Sequence, residues 1–298
     1  MLKGLAITPP VIGRISIGRV VEKNGKRLPE KDDQFTVTTQ VQNHDGWVLH
    51  PLDDTLRKSC VGKLRSIPVW MLFDDPDLNL RAEYALFDRE TGRPQCVGNG
   101  ETCRRASAEG IETQPCLSPD LCALGRKAGC KPYGRLYVML GEEEMAAFVL
   151  RTTSFNSIRT LAARLRYFHA VSGGALATMP LELKLRGKST TQSYRTPIYY
   201  VDLVLKSGET LENAVAQAHE TKRQRIAAGV DQAALDQAAR DGFSNGAFEE
   251  SAEDVPAVVE EFYPDSASHE VSPGSMAVNE LLRDKLTRRT QVERGSTS

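Results

Sequence analysis

Residues 96–130 read CVGNGETCRRASAEGIETQPCLSPDLCALGRKAGC and hold five of the six cysteines of this 298-residue chain. The spacing is Cys96-x6-Cys103-x12-Cys116-x5-Cys122-x7-Cys130. Glycine, proline and charged residues interrupt every apolar run, so this stretch cannot bury a core of its own. A segment of this kind is held by a metal ion or by disulfide bonds, and the compartment decides between them.

The compartment predicted from the sequence is the cytoplasm. Residues 1–18 lack the basic segment and unbroken apolar stretch of a secretory signal, because prolines and an arginine interrupt them. No stretch approaches the roughly 18 apolar residues that a membrane-spanning helix needs. In a reducing compartment, clustered cysteines are more often metal ligands than disulfide partners. A structural zinc ion is therefore the favoured interpretation, with unligated thiols or a transient disulfide as the alternatives.

Five cysteines exceed the four positions of a tetrahedral zinc site. The predicted ligands are the four cysteines next to predicted strands: Cys96, Cys116, Cys122 and Cys130. Cys103, which precedes Arg104 and Arg105 in a predicted helical turn, is the substitute ligand. Cys60 lies far outside the window and is predicted to be buried or free. The short C-x2-C pairs of common zinc ribbons are absent, so cysteine density rather than spacing carries this prediction.

Hydrophobic periodicity predicts an α+β fold with a β-rich body and a central helix. Residues 34–42 alternate between apolar and polar side chains, as a half-buried strand does. Residues 67–73 and 80–87 are predicted strands joined by a hairpin-like turn at residues 74–77. Further strands are predicted at residues 15–20, 135–140, 147–152, 180–185 and 198–205.

Two longer helices are predicted in the second half of the chain. The first runs from about Phe155 to Val171, with Ser154 as its N-cap and Gly173 and Gly174 ending it. Its apolar residues recur at helical spacing, which predicts that one face is buried. The second, at residues 211–228, has a weak apolar stripe and is predicted to lie on the surface.

Charge is distributed unevenly along the chain. Residues 231–298 hold fourteen acidic and six basic residues, whereas residues 1–230 hold 25 acidic and 32 basic ones. We therefore expect a body at residues 1–230, with the zinc insert at about residues 93–135, and an acidic C-terminal tail at 231–298. Residues 241–270 contain nine acids and no Lys or Arg, which predicts disorder. A short terminal helix is predicted at residues 277–289. A basic body suggests an anionic partner.

Eight basic residues in and near the insert are candidates for binding nucleic acid or a protein partner: Arg104, Arg105, Arg126, Lys127, Lys131, Arg135, Arg159 and Arg166. Cations next to tyrosines can contact phosphates and stack on bases. Ordinary solvated charges, or a partner that itself lies on DNA, would explain the same pattern. The sequence leaves these interpretations open.

No catalytic residue is assigned from the sequence. His44 and His50, with Asp45, Asp53 and Asp54 nearby, resemble part of a hydrolytic metal centre, but a polar loop is the favoured interpretation because the remaining ligands are missing. His169 is predicted to be a surface or interface histidine. The glycine-rich phosphate-binding patterns and the nucleophile elbow are absent.

Several short motifs in a fixed order resemble the phage recombination directionality factor-like family. They are the Cys96-Val-Gly-Asn-Gly turn, the Pro-Cys to Lys-Pro-Tyr-Gly-Arg-Leu segment at residues 115–136, the Arg-Thr-Thr-Ser-Phe-Asn-Ser-Ile-Arg helix start at residues 151–159, and the segment at residues 173–183. The resemblance covers roughly residues 1–205. Its cysteine set falls on Cys96, Cys116, Cys122 and Cys130, and Cys103 is an addition.

The resemblance implies a non-catalytic accessory protein of a phage or an integrative and conjugative element. Such a protein binds a large serine integrase at its DNA sites and biases recombination toward excision. Its homologues also carry labels such as hydrolase or metal-binding protein. The alternatives are a protein that handles single-stranded DNA in a mobile-element recombination operon and a metal-dependent hydrolase or nuclease.

Overall fold

The structure is a computed structural model that describes residues 10–23, 26–43, 46–108, 110–141, 146–189, 197–242 and 262–263. The strands of these residues are β1 (Val11–Lys23), β2 (Lys26–Asn43), β3 (Gly46–Leu49), β4 (Ser66–Met71), β5 (Leu80–Phe87), β6 (Pro94–Gly98), β7 (Thr102–Ser107), β8 (Gly110–Pro115), β9 (Lys131–Met139), β10 (Ala147–Thr152), β11 (Leu181–Lys188) and β12 (Ile198–Leu205). The helices are α1 (Pro51–Lys58), α2 (Pro76–Asn79), α3 (Ser118–Leu121), α4 (Ala123–Ala128), α5 (Phe155–Val171), α6 (Leu211–Ala227) and α7 (Gln232–Gly242).

One large sheet organises the molecule. Its strands follow the order β3-β2-β1-β10-β9-β5-β6-β7-β8. β4 pairs with both β9 and β11, and β11 pairs with β12, so β4 connects the last two strands to the large sheet. β1 is parallel to β10 and β2 is parallel to β3, whereas the other pairs are antiparallel. The predicted mixed α+β class with a β-rich body is confirmed.

The central helix α5 packs on this sheet as its periodicity predicted. Leu161, Leu165 and Phe168 are buried in the main core with side chains of β1, β2, β4 and β9 to β12. The Ser154 hydroxyl accepts a hydrogen bond from the Ser157 backbone N–H at 3.3 Å, which caps the helix. β9 carries Gly134 opposite α5, where a Cβ would lie 2.8 Å from Cγ1 of Ile158. The missing side chain lets the helix approach the sheet.

β2 is longer and more deeply buried than the predicted strand. Phe35 and Val37 are buried as expected, but Thr36 and Thr38 on the other face are buried too. The hydroxyl of Thr36 donates to the Gly18 carbonyl at 2.7 Å, and the backbone N–H of Val37 donates to the Asp53 carboxylate at 2.8 Å. Polar groups of α1 and β1 thus cover a face that the sequence alternation assigned to solvent.

The predicted hairpin between residues 67–73 and 80–87 is wrong. β4 and β5 both pair with β9, which lies between them. The connection contains the short helix α2, and the Asp75 side chain caps it by accepting from the Asp77 N–H at 2.9 Å. The buried amide of Asn79 accepts from the N–H groups of Leu72 and Phe73, at 3.0 and 3.1 Å. These hydrogen bonds stabilise a wide connection that passes from β4 across β9 to β5, rather than a tight turn.

The cysteine-rich stretch extends the large sheet at one edge. β6, β7 and β8 add antiparallel strands beyond β5, and α3 and α4 return the chain to β9. The helical turn predicted around Cys103 is wrong, because Cys103 lies in β7 and pairs with Gly98 and Gln114. Two neighbouring hairpins supply the backbone hydrogen bonds that a helical turn would otherwise need.

Ordered structure continues past the predicted boundary at residue 230. α7 packs against the 74–75 turn, where the Asp236 carboxylate accepts from the backbone N–H groups of Asp74 and Asp75, and Arg240 pairs with Asp75 at 2.8 Å. Of the predicted disordered stretch 241–270, the structure describes residues 241, 242, 262 and 263. The predicted helix at 277–289 lies outside the described residues. None of the helices described is long and apolar enough to cross a bilayer.

Candidate metal centre

Six elements of the chain bring the five clustered cysteines together. Cys96 lies in β6 and Cys103 in β7. Cys116 follows β8, Cys122 lies between α3 and α4, and Cys130 immediately precedes β9. All five thiols line one cavity of about 20 Å³. A space of this size holds roughly one water-sized guest, since that requires about 10–15 Å³.

The six cysteines all carry free thiols, and Cys60 lies apart from the cavity. Within the described ranges, no group of three or more Cys, His, Asp and Glu side chains is arranged so that it could hold a metal ion as placed. The five thiols therefore share a cavity wall without forming a closed coordination shell. Cys103 belongs to this wall as fully as the four predicted ligands do.

Close packing leaves little room around the sulfur atoms. A Cβ at Gly98 would lie 2.6 Å from Cβ of Cys103 and 2.9 Å from Sγ of Cys116, so only glycine fits here. Ser118 in the cavity wall has a φ of 62°, a left-handed conformation that is costly for a residue with a side chain. The backbone is thus strained where it turns toward the thiols.

Two donors point at Cys122. Its Sγ accepts from the Gly125 backbone N–H at 3.4 Å and from Nη2 of Arg105 at 3.6 Å. These groups lower the pKa of the Cys122 thiol, with the backbone N–H as the larger cause. The Nε atom of Arg105 is buried and has no hydrogen-bond partner among the described residues. A half-buried guanidinium beside sulfur favours the thiolate form.

Burial acts in the opposite direction on two other thiols. It raises the pKa of Cys103 to about 11 and that of Cys130 to about 12, and the neighbouring cysteines add to both shifts. Without a cation these two thiols keep their protons at neutral pH. A divalent metal inverts this balance, because it binds thiolates and displaces the protons.

The thiols that line the cavity suit a zinc ion by donor type, although in the described residues they are not placed as a coordination shell. Zinc prefers four soft ligands, and closed four-thiolate sites are structural. The cavity offers five thiols and one cationic side chain, and it lies where the chain buries few apolar groups. A metal ion there would join β6, β8, the α3–α4 junction and β9.

The eight basic candidates do not form one exposed face. Arg126, Lys127, Arg159 and Arg166 are exposed, and Arg104 is half-buried. Three others are used inside the protein: Arg105 faces the thiols, Lys131 contacts Phe262, and Arg135 is 1% exposed and pairs with Glu83 at 2.9 Å. The inward direction of Arg105 was readable in principle, because residues two apart in a strand share a face and Cys103 is buried.

The histidine loop has structural roles in the residues described. Nδ1 of His50 accepts from the Leu52 backbone N–H at 3.2 Å and caps α1, and its ring packs edge-on against Phe148. The Asp53 carboxylate binds Val37 N–H and Arg57. His44 and Asp45 lie outside the described residues. Nδ1 of His169 lies 2.8 Å from the Asp74 carbonyl oxygen, so this histidine also contributes to packing.

The comparison with protein-family models decides the relationship. The model described as "Gp3-like: Recombination directionality factor-like" matches residues 12–206, which include the sheet, the insert and α5. The chain belongs to the recombination directionality factor-like family. The resemblance noted from the short motifs is thereby confirmed. No curated protein and no solved structure was found to match. Membership of the recombination directionality factor-like family points to an accessory role in DNA recombination.

Proposed function

We propose that this protein is a non-catalytic accessory factor that binds a site-specific integrase and biases recombination toward excision. The observation that carries the proposal is the family match over residues 12–206. The physical basis is a coupling free energy: a factor that binds one conformation of the integrase–DNA complex more tightly shifts the population toward that conformation. The element that encodes the protein, a phage or an integrative and conjugative element, would supply the integrase.

The test is a reconstituted recombination reaction with the integrase encoded by the same element. We expect the protein to increase recombination between the two hybrid sites that flank an integrated element and to suppress the integration reaction. It should also be recovered with the integrase on DNA carrying those sites. An unchanged product ratio, together with no recovery, would refute the proposal.

The insert tip is the surface that we propose for contact with the integrase. It combines the exposed apolar side chains of Leu117 and Leu121 with the exposed cations Arg126 and Lys127. Exposed leucines next to basic residues suit a protein partner better than a regular phosphate backbone. The variant Leu121→Asp should reduce integrase binding without loss of the fold. Leu235→Asp, at an exposed position on α7, is the matched control.

We further propose that the insert holds a structural zinc ion through Cys96, Cys116, Cys122 and Cys130. The thiol-lined cavity supports this, and Arg105 would offset part of the negative charge of four thiolates. The zinc would cross-link strands and loops that have little core of their own. Elemental analysis should find about one zinc per chain, as a closed four-thiolate site requires.

Single Cys→Ser variants test the ligand set. Substitution of each of the four proposed ligands should remove most of the zinc, whereas Cys103→Ser should retain it. Cys60→Ser is the control for a thiol outside the cavity. Equal zinc loss from Cys103→Ser would replace one member of the proposed set, and a zinc-free wild-type protein prepared without chelator would reject the metal.

Direct binding of single-stranded DNA is a second candidate, favoured by one observation. The exposed side of α5 carries Arg159, Arg166 and Tyr167, so cations and a ring for base stacking lie on one helix. Arg166 is paired with Asp77 at 3.2 Å, but both side chains are exposed and the pair is weak. Salt-sensitive gel shifts with oligonucleotides would support this role. Their absence at low salt would remove it.

A further inference from the structure

The two faces of the insert root, which we define as β5, β6 and the start of β9, carry different side chains. Leu86 and Cys96 point toward the thiol cavity. The alternate residues Ala85, Phe87 and Val97 lie on the opposite face with Tyr133. This second face forms an apolar groove, and a distant part of the chain fills it. The occupant is the residue pair Phe262–Tyr263, which is 0% and 7% exposed.

Aromatic packing seats the pair in the groove. The ring of Phe262 packs edge-on against Phe87 and Tyr133, with centroids 4.9 and 5.8 Å apart. Phe87 and Tyr133 themselves pack edge-on at 5.3 Å, so the groove wall is a built aromatic cluster. Rings in this arrangement attract one another beyond the burial of their area. Such a wall selects an aromatic side chain over an aliphatic one.

Polar contacts fix the register and direction of the pair. The Tyr263 hydroxyl donates to the Phe87 carbonyl oxygen at 2.7 Å. Nζ of Lys131 donates to the Phe262 carbonyl oxygen and lies 4.5 Å from the centroid of the Phe262 ring. Arg89 lies over the Tyr263 ring at 4.6 Å. Specific groups of the groove therefore form hydrogen bonds with both a backbone carbonyl and a side-chain hydroxyl of the occupant.

The groove and its occupant come from different parts of the chain. Every groove residue lies within residues 12–206, which the family model matches, whereas the pair lies beyond that match. Two basic side chains, Arg89 and Lys131, surround the occupant. Its sequence neighbours are acidic, since residues 260–265 read EEFYPD. The family body thus provides a site, and the acidic tail provides a ligand of complementary charge.

We propose that this groove is a peptide-recognition site for an acidic segment with a Phe-Tyr pair, occupied in this protein by its own Phe262–Tyr263. Binding within one molecule pins the acidic tail to the face behind the thiol cavity. A segment tethered in this way has a high effective concentration, so a free peptide competes poorly with it. The site becomes accessible in trans only when the internal pair is removed or displaced.

The test uses the full chain with Phe262→Ala and Tyr263→Ala combined. A fluorescent peptide of residues 256–268, PAVVEEFYPDSAS, is titrated and its anisotropy measured. We expect saturable binding to the double variant and binding at least about tenfold weaker to the wild type, because the tethered pair competes. A peptide with both aromatic residues replaced by alanine should bind neither protein.

Matched protein controls distinguish binding in the groove from nonspecific binding of the peptide. The variant Phe155→Ala removes an exposed aromatic side chain from α5 and should bind the peptide as weakly as the wild type does. Adding Lys131→Gln to the Phe262→Ala and Tyr263→Ala variant should weaken its binding of the peptide. Circular dichroism confirms that each variant is folded. If the peptide binds no folded variant, or binds the wild type and the tail variant equally, the proposal is wrong.

Light scattering with the wild type checks that the pair binds within its own molecule. A constant monomer mass over a wide concentration range supports the intramolecular contact. A dimer that the Phe262→Ala and Tyr263→Ala variant abolishes would show exchange of tails between two copies and would overturn it.

Discussion

The body and the insert of this molecule are stabilised by different means. The body buries a continuous apolar cluster drawn from eight strands, α5 and α6. Among the described residues, the insert and its root bury only Leu86, Cys96 and Cys103 on the thiol side, with partly buried cysteines around them. Its opposite face depends on Phe262 and Tyr263 from the tail. Apolar burial is the main favourable term in folding, so the insert needs additional stabilisation that the body does not. Four expected results test this difference between the body and the insert.

The largest effect is expected in the body core. Leu165→Ala should lower the free energy of unfolding by about 2–5 kcal/mol, because it removes a fully buried side chain and leaves a cavity. Urea denaturation followed by circular dichroism measures it. Leu235→Ala, at an exposed position on α7, is the matched control and should cost less than about 1 kcal/mol. Equal destabilisation by the two variants would contradict the assignment of the core.

Removal of the proposed zinc ion should affect the insert and spare the body. After treatment with a zinc chelator, hydrogen exchange should accelerate in β6 to β8 and in α3 and α4, because we propose that folding of the insert is coupled to the ion. Amides of α5 and β10 should keep their protection to within about 1 kcal/mol of opening free energy. Added zinc should restore the insert. Uniform loss of protection across both regions would show that they fold as one unit.

Replacing Arg105 should lower the affinity for the proposed zinc ion, whereas replacing the neighbouring Arg104 should not. Arg105→Met removes the cation that contacts the Cys122 sulfur, and outer-shell changes of this kind lower metal affinity by about 10–100-fold. Competition with a chromophoric chelator measures the affinity. Arg104→Met is the control, since Arg104 lies next to it on the other face of β7. Equal affinities of the two variants would argue against a role of Arg105 in the site.

The smallest effect is expected from a single hydroxyl on the tail. Tyr263→Phe keeps the ring and removes the hydrogen bond to the Phe87 carbonyl, which should weaken docking by about 0.5–1.5 kcal/mol. The rate of proteolysis within the tail should rise accordingly. Tyr199→Phe, whose half-buried ring lies on β12, is the control and should leave this rate unchanged. If the tail of Tyr263→Phe resists proteolysis as well as the wild-type tail does, apolar packing alone holds the tail in the groove.

Local patterns in the sequence predicted the elements that depend on near neighbours. The cap at Ser154, the stripe of Leu161, Leu165 and Phe168, and the glycine stop at 173–174 are all local, and the helix follows them. The hairpin prediction failed although a local signal was present. Asp75 followed by Pro76 is a helix start, and the structure uses it as one. Pairing partners such as β9, inserted between β4 and β5, depend on contacts distant in sequence.

The amino-acid sequence alone predicted that four of the cysteines share one site, that the body is a mixed α+β structure and that α5 has a buried face. These conclusions rest on residue type and on periods of two or 3.6 residues, which one stretch of chain carries alone. Only the tertiary structure brought Cys103 and Arg105 to the same cavity as the other thiols and placed Phe262 on the reverse side of the same strands. Such contacts join residues up to 176 positions apart, and no local pattern specifies them.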